Sequence, residues 1–238
     1  MIRRLYEDYF DLQLRFAARY AAVAALPFHE AVDRCTNLRR RFGLWGPPGD
    51  ARWAEFLDQL QGRAQSGALR TAMLFHDAAA APDASPFGCF SFDPRDAQGD
   101  LRLHFMPQAQ HRRTRPLAAA SLPERRAELR AMFAELRRSH PQVRRVRGLS
   151  WLYHVGAYRN LFPPAYAASV TLPLERLHMN GSSTWGQVLD HQHRVRPGVG
   201  QAVLAGLGPT TVHVPWRAFP LQPLAAACPA EDFFDWFA

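Results

Sequence analysis

Between residues 5 and 25 apolar side chains recur about four positions apart, with Tyr6, Phe10 and Leu14 on one side and charges on the other. That spacing predicts an amphipathic helix, ended by Leu26-Pro27. Residues 28–42 predict a second helical segment, closed by Gly43 and the Gly46-Pro47-Pro48-Gly49 turn cluster. Trp53, Phe56, Leu57 and Leu60 then fall at the i, i+3, i+4, i+7 positions of a third helix.

After Gly67 the period shortens. Residues 68–76, 87–92 and 100–106 alternate like strands between Pro- and Gly-containing turns, which predicts a three-stranded antiparallel meander. Ser121 and Glu124 have capping-box spacing, in which each side chain satisfies a free N–H at a helix start. The helix that follows, to about Ser139, carries Leu129, Met132, Phe133 and Leu136 on one face and is stopped by Pro141. A strand over 144–153, a short helix over 156–162 and a strand over 165–172 complete this part. Beyond lie an Asn180-Gly181 turn, helices over 183–194 and 198–207, a strand over 213–219 and a terminal aromatic helix over 231–237. The pattern divides into a helical N-terminal segment (1–66), a core (67–175) and a mixed C-terminal extension packed on the core (176–238).

Composition narrows the class. The 238 residues are 47% hydrophobic and 12% aromatic, enough for a folded interior. No apolar run approaches the roughly 20 residues that span a bilayer, so no membrane partner is expected. The start, with Glu7, Asp8 and Asp11 soon after its arginines, is unlike a signal peptide. Three scattered cysteines, Cys35, Cys89 and Cys228, read as reduced thiols of a cytoplasmic protein. A formal charge of +8 and a pI near 10.2 come almost wholly from arginine, clustered at 39–41, 112–115 and 137–147. No helix-turn-helix, zinc finger or RNA-binding signature accompanies the charge, which disfavours a nucleic-acid partner and leaves smaller anions such as a cofactor phosphate.

The densest chemistry lies in residues 147–166, RGLSWLYHVGAYRNLFPPAY. Over residues 68–172 the order of strands, helix, strand, short helix and strand resembles the GNAT acyltransferase superfamily. Its most specific point is Ala157-Tyr158-Arg159-Asn160-Leu161-Phe162. The resemblance implies an α/β fold with a mixed, mostly antiparallel sheet flanked by helices. It implies acyl-CoA as co-substrate and the amine of a small molecule or peptide as acceptor. Tyr158 would protonate the departing thiolate, within a gap between strands around His104 and Leu149. The loop 108–121 lacks the family's phosphate-binding glycines, and Arg112, Arg113 and Arg115 stand there as side-chain donors to phosphate.

Such a transfer needs a base for the incoming ammonium, and His104 and His154 are the candidates. Trp151, Tyr153, Trp185 and Gln187 are candidates for lining an acceptor pocket. The alternative is a non-catalytic GNAT-like partner subunit that recognises a peptide for a natural-product-modifying enzyme. The aromatic C-terminus, Phe233, Phe234, Trp236 and Phe237, would offer a docking patch if exposed. No metal is expected. His191 and His193, in a segment read as helix, would splay by about 200 degrees. His29 and Asp33 share a helical face without a third ligand.

Overall fold

In the computed structural model, residues 5–44, 46–62, 65–79, 84–93, 96–107, 111, 114–174 and 177–238 are described. In chain order the elements begin with α1 (Glu7–Ala24), α2 (Phe28–Cys35), α3 (Leu38–Arg41), α4 (Pro47–Leu60) and α5 (Gln65–Asp77). Next come β1 (Phe90–Asp93), β2 (Asp100–Phe105), α6 (Leu122–Ser139), β3 (Arg145–Ser150), α7 (Gly156–Arg159) and α8 (Pro164–Ala168). The chain finishes with α9 (Ser182–Trp185), α10 (Val199–Gly206), β4 (Leu224–Pro229) and α11 (Ala230–Trp236). The class is mixed α/β. No helix among the described residues is long and apolar enough to cross a membrane.

The chain forms two compact units, residues 1–82 with 176–222, and residues 83–175 with 223–238. The first unit is helical and built around α1. Tyr9, Phe10, Gln13, Phe16, Ala17 and Tyr20 recur at three- and four-residue intervals on its buried face. That face packs against α2, α5 and α10. Trp185 closes the core edge-on to Phe16 and Phe219, with ring centroids at 5.3 and 4.8 Å.

The second unit is a four-stranded sheet in the order β1-β2-β3-β4. β1 and β2 form an antiparallel hairpin, β3 returns parallel to β2 after α6, and β4 pairs antiparallel with β3. One face carries Phe90, Leu101, Leu103, Val146, Ala226 and Cys228, all buried. Together with Leu129, Met132, Phe133 and Leu136 of α6 they make one core. The opposite face carries Ser91, Asp93, Arg102, His104, Arg145 and Arg147. On it Arg145 grips Asp100 through two hydrogen bonds, at 2.9 and 2.5 Å.

Four sequence expectations are corrected. Residues 68–76 form part of a helix: Ala68, Ala72 and Phe75 are its buried stripe, and the segment's Ala, Leu, Arg and Met favour helix over strand. The expected meander is therefore a two-stranded hairpin. Residues 165–172 begin as α8, initiated by Pro164 at a first-turn position, and keep strand character only in the bridge between Thr171 and Ala225. The helix read over 183–194 stops at Val188. Asp190 Oδ1 then accepts from the Gln192 and Arg194 backbone N–H groups and folds the segment into a turn. Residues 213–219 contain a 3-10 turn over Pro215–Ala218 instead of a strand. The capping box is also absent, since Ser121 makes no side-chain cap bond and a 3-10 turn over Ala119–Ser121 leads into α6.

Candidate functional site

The parallel ladder between β2 and β3 holds for three residue pairs, Asp100–Arg145, Leu101–Val146 and Arg102–Arg147. Beyond it, among the described residues, each strand keeps its outer partner. Leu103, His104 and Phe105 stay paired to β1, while Gly148, Leu149 and Ser150 stay paired to β4. The strands therefore part at the position of His104 and Leu149.

Local sequence explains the parting. Gly148 has no side chain, and the hydroxyls of Tyr153 and Tyr166 occupy the space a Cβ there would need. Those two buried hydroxyls hydrogen-bond to each other at 2.6 Å. The Tyr158 ring packs on Phe105 past the end of the ladder (5.3 Å) and on Tyr153 just after β3 (5.5 Å). It thus bridges the two diverging ends. Phe162 and Tyr166 extend the cluster, at 4.9 Å from Tyr158 and 5.2 Å from each other.

Electrostatics follow burial. Tyr158 is 2% exposed, and burial holds its phenol pKa well above the ordinary value, so the hydroxyl keeps its proton. Among the described residues no hydrogen bond reaches that hydroxyl. His104, one residue before Phe105, points to the other face of the sheet by strand alternation. Its Nε2 lies 2.9 Å from Asp93 Oδ2, in ion-pair reach although poorly angled for a hydrogen bond. Acid and base candidates therefore stand on opposite faces, and only the parted strands lie between those faces.

The other candidates are dispersed. His154 is exposed in the 3-10 turn after β3, and Trp151 in the same turn is half-buried. Tyr153 is a core residue. Arg115 is exposed, and Arg112 and Arg113 lie outside the described residues. Trp185 and Gln187 belong to the interior of the first unit. Trp185 Nε1 donates to the Cys35 carbonyl at 3.0 Å, and Gln187 bonds the backbone of Leu221 in both directions. Phe233, Phe234 and Phe237 are buried in the second unit's core, so the aromatic C-terminus presents only Trp236 to solvent.

One cluster escaped sequence reading. Cys89 Sγ, a His111 ring nitrogen and a Glu128 carboxylate oxygen lie within 4.8 Å of one another, a spacing that suits a metal. A resident cation already occupies their charge. The fully buried Arg125 donates to Cys89 Sγ at 2.7 Å and ion-pairs with Glu128 at 2.7 Å and Glu124 at 2.8 Å. Burial pushes the Cys89 thiol up to about 12, so beside Arg125 it stays protonated. The residues come from the segment before β1, the loop after β2 and the start of α6, and no sequence spacing joins them. All three cysteines are unpaired and buried.

No known protein family, curated protein or solved structure matches the chain.

Proposed function

We propose that the second unit is a GNAT-like acyl-CoA-dependent N-acyltransferase core, with the amine of a small molecule or peptide as acceptor. The observation that supports this reading is the parting of the parallel strands β2 and β3 after Arg102 and Arg147, in the order hairpin, helix, strand, short helix. A thioester lying in that gap is reached from both faces of the sheet. His104 takes the ammonium proton from the polar face, and the amine nitrogen attacks the acyl carbon. The C–S bond breaks, and Tyr158 returns a proton to the thiolate from the apolar face. Arg115 is placed by sequence to meet the phosphates.

A thermal-shift screen with several acyl-CoAs tests the reading. Ligand at about 100 times its Kd is expected to stabilise the fold by about 2.7 kcal/mol. The absence of any shift would overturn the proposal. Tyr158→Phe removes a hydroxyl that makes no hydrogen bond among the described residues, so it is expected to fold normally and bind acyl-CoA normally. Transfer should fall by about 10²-fold or more, and undiminished transfer would refute the acid role.

The second reading is a non-catalytic peptide-recognising partner subunit. It is favoured by the filling of the apolar side of the gap with Tyr153, Tyr158, Phe162 and Tyr166. Peptide binding without any acyl-CoA stabilisation would select it.

A further inference from the structure

Four buried nitrogens without a hydrogen-bond partner gather in one place in the first unit: Gln13 Nε2, Asn37 Nδ2, Arg41 Nε and His76 Nδ1. Their elements bring them together. Tyr9 and Gln13 stand one turn apart on α1, Asn37 precedes α3 and Arg41 ends it one turn later, and His76 is near the end of α5. The Tyr9 hydroxyl donates to Asn37 Oδ1 at 3.1 Å, and the Asn37 backbone N–H donates to Gln13 Oε1 at 2.7 Å. Both amide oxygens are thereby used within the chain, and both amide NH₂ groups are left over. Gln13 and Asn37 are each 0% exposed, so these donors are withdrawn from bulk solvent and have no partner among the described residues.

Arg41 adds the charge. Its guanidinium carbon lies 5.3 Å from the ring centroids of both Tyr6 and Tyr9 and the group hydrogen-bonds the Tyr9 hydroxyl, while Nε keeps no partner among the described residues. No carboxylate of a described residue pairs with it. Asp77 Oδ1 is 3.7 Å from His76 Nδ1, beyond hydrogen-bond reach. At the rim the Tyr6 hydroxyl hydrogen-bonds His193 Nδ1. Both residues hold left-handed backbones, φ 71° and 63°, which cost energy for bulky side chains. Tyr6, Arg41, His76 and His193 are partly exposed, whereas Tyr9, Gln13 and Asn37 are buried.

We infer that this cluster binds the carboxylate of a small aromatic or apolar acid. The oxygens would be held by the Nε edge of Arg41 and the amide NH₂ groups of Gln13 and Asn37. A donor-only set asks for an oxyanion, and one fixed positive charge among neutral amides matches a monoanionic carboxylate better than a dianionic phosphate. The rings of Tyr6 and His76, 5.3 Å apart at the rim, suit an aromatic body. The site involves the first unit only and does not depend on the acyltransferase reading.

The test is NMR titration of the ¹⁵N-labelled full chain with sodium benzoate and, separately, inorganic phosphate at constant ionic strength. The Arg41 Nε–H signal, assigned by its loss in Arg41→Lys, is expected to shift saturably with benzoate at a Kd on the order of 1 mM. In Arg41→Lys, which keeps the charge but loses the planar fork, affinity read from the histidine ring signals should fall about tenfold or more. Three results would each overturn the inference: no saturable shift at about 50 mM benzoate, phosphate binding tighter than benzoate, or unchanged affinity in folded Arg41→Lys.

Discussion

Arg125 is fully buried and Arg41 partly so, and their surroundings differ in kind. Arg125, in the second unit, is fully enclosed and spends its guanidinium on Cys89, Glu124 and Glu128 of its own chain. Arg41, in the first unit, lies over two tyrosine rings with Nε unpartnered, beside amide groups whose NH₂ groups have no partner among the described residues. A buried cation neutralised by its own chain is part of the scaffold. Arg41, beside amide donors that have no partner among the described residues, is where the inferred carboxylate would sit. The contrast also separates Arg41 from its neighbour Arg39, which pairs with Asp50 and donates to the Leu44 carbonyl.

The largest effect that sharpens this contrast is expected at Arg125. Arg125→Met strands Glu128 and should cost about 3–5 kcal/mol in urea denaturation, with part recovered when Glu128→Gln is added. A cost below about 1 kcal/mol would remove Arg125 from the scaffold. Next comes the tyrosine pair, a neutral example of a group satisfied within the chain. Tyr153→Phe or Tyr166→Phe alone should cost about 1–3 kcal/mol, because the remaining hydroxyl is stranded, and the double variant should cost less than the sum. Additive losses would show that the 2.6 Å bond does not couple them.

A smaller effect is expected at Asp100, whose hydrogen bond from Arg145 holds its carboxyl below the usual carboxylate range. A depressed folded pKa stabilises the fold above the unfolded value, near 3.9, and that contribution is lost as pH falls through the folded value. Asp100→Asn should therefore cost about 1 kcal/mol at neutral pH, Arg145 being half-exposed and screened. The gap to the unsubstituted protein should close below the ordinary carboxylate range, and a gap that widened there would reverse the assignment. The smallest effect belongs to Arg41→Gln. Ring contacts and a hydrogen bond to Tyr9 are lost at a partly exposed side chain, so stability should change by less than about 1 kcal/mol, and a loss as large as that of Arg125→Met would break the comparison.

Much of the helical framework was legible because burial wrote a 3.6-residue period into it. Phe10 and Leu14 mark α1, and Leu129, Met132, Phe133 and Leu136 mark α6. β4 was not legible. Its Leu-Ala-Ala-Ala-Cys-Pro has little strand propensity and exists as a strand because β3 offers it a ladder. α5 was misread because a short apolar run fits either period. The end of the β2–β3 ladder after Arg102 and Arg147 has no sequence signal of its own. Nothing in sequence announces that two tyrosine hydroxyls thirteen residues apart will crowd one glycine. Arg41 was hidden differently, as one letter in a run of arginines whose separate fates depend on α1, α4 and α5.

β4 arrives some 75 residues after the strand it completes, with residues 176–222 of the first unit made in between. During synthesis β3 is therefore an open edge until residues 224–229 emerge, and neither unit is encoded by one contiguous stretch. Such an edge can recruit other nascent strands, so a ribosome stalled before residue 224 would release a chain prone to aggregate. Protein engineers seeking the sheet unit alone would have to join residue 175 to residue 223 directly.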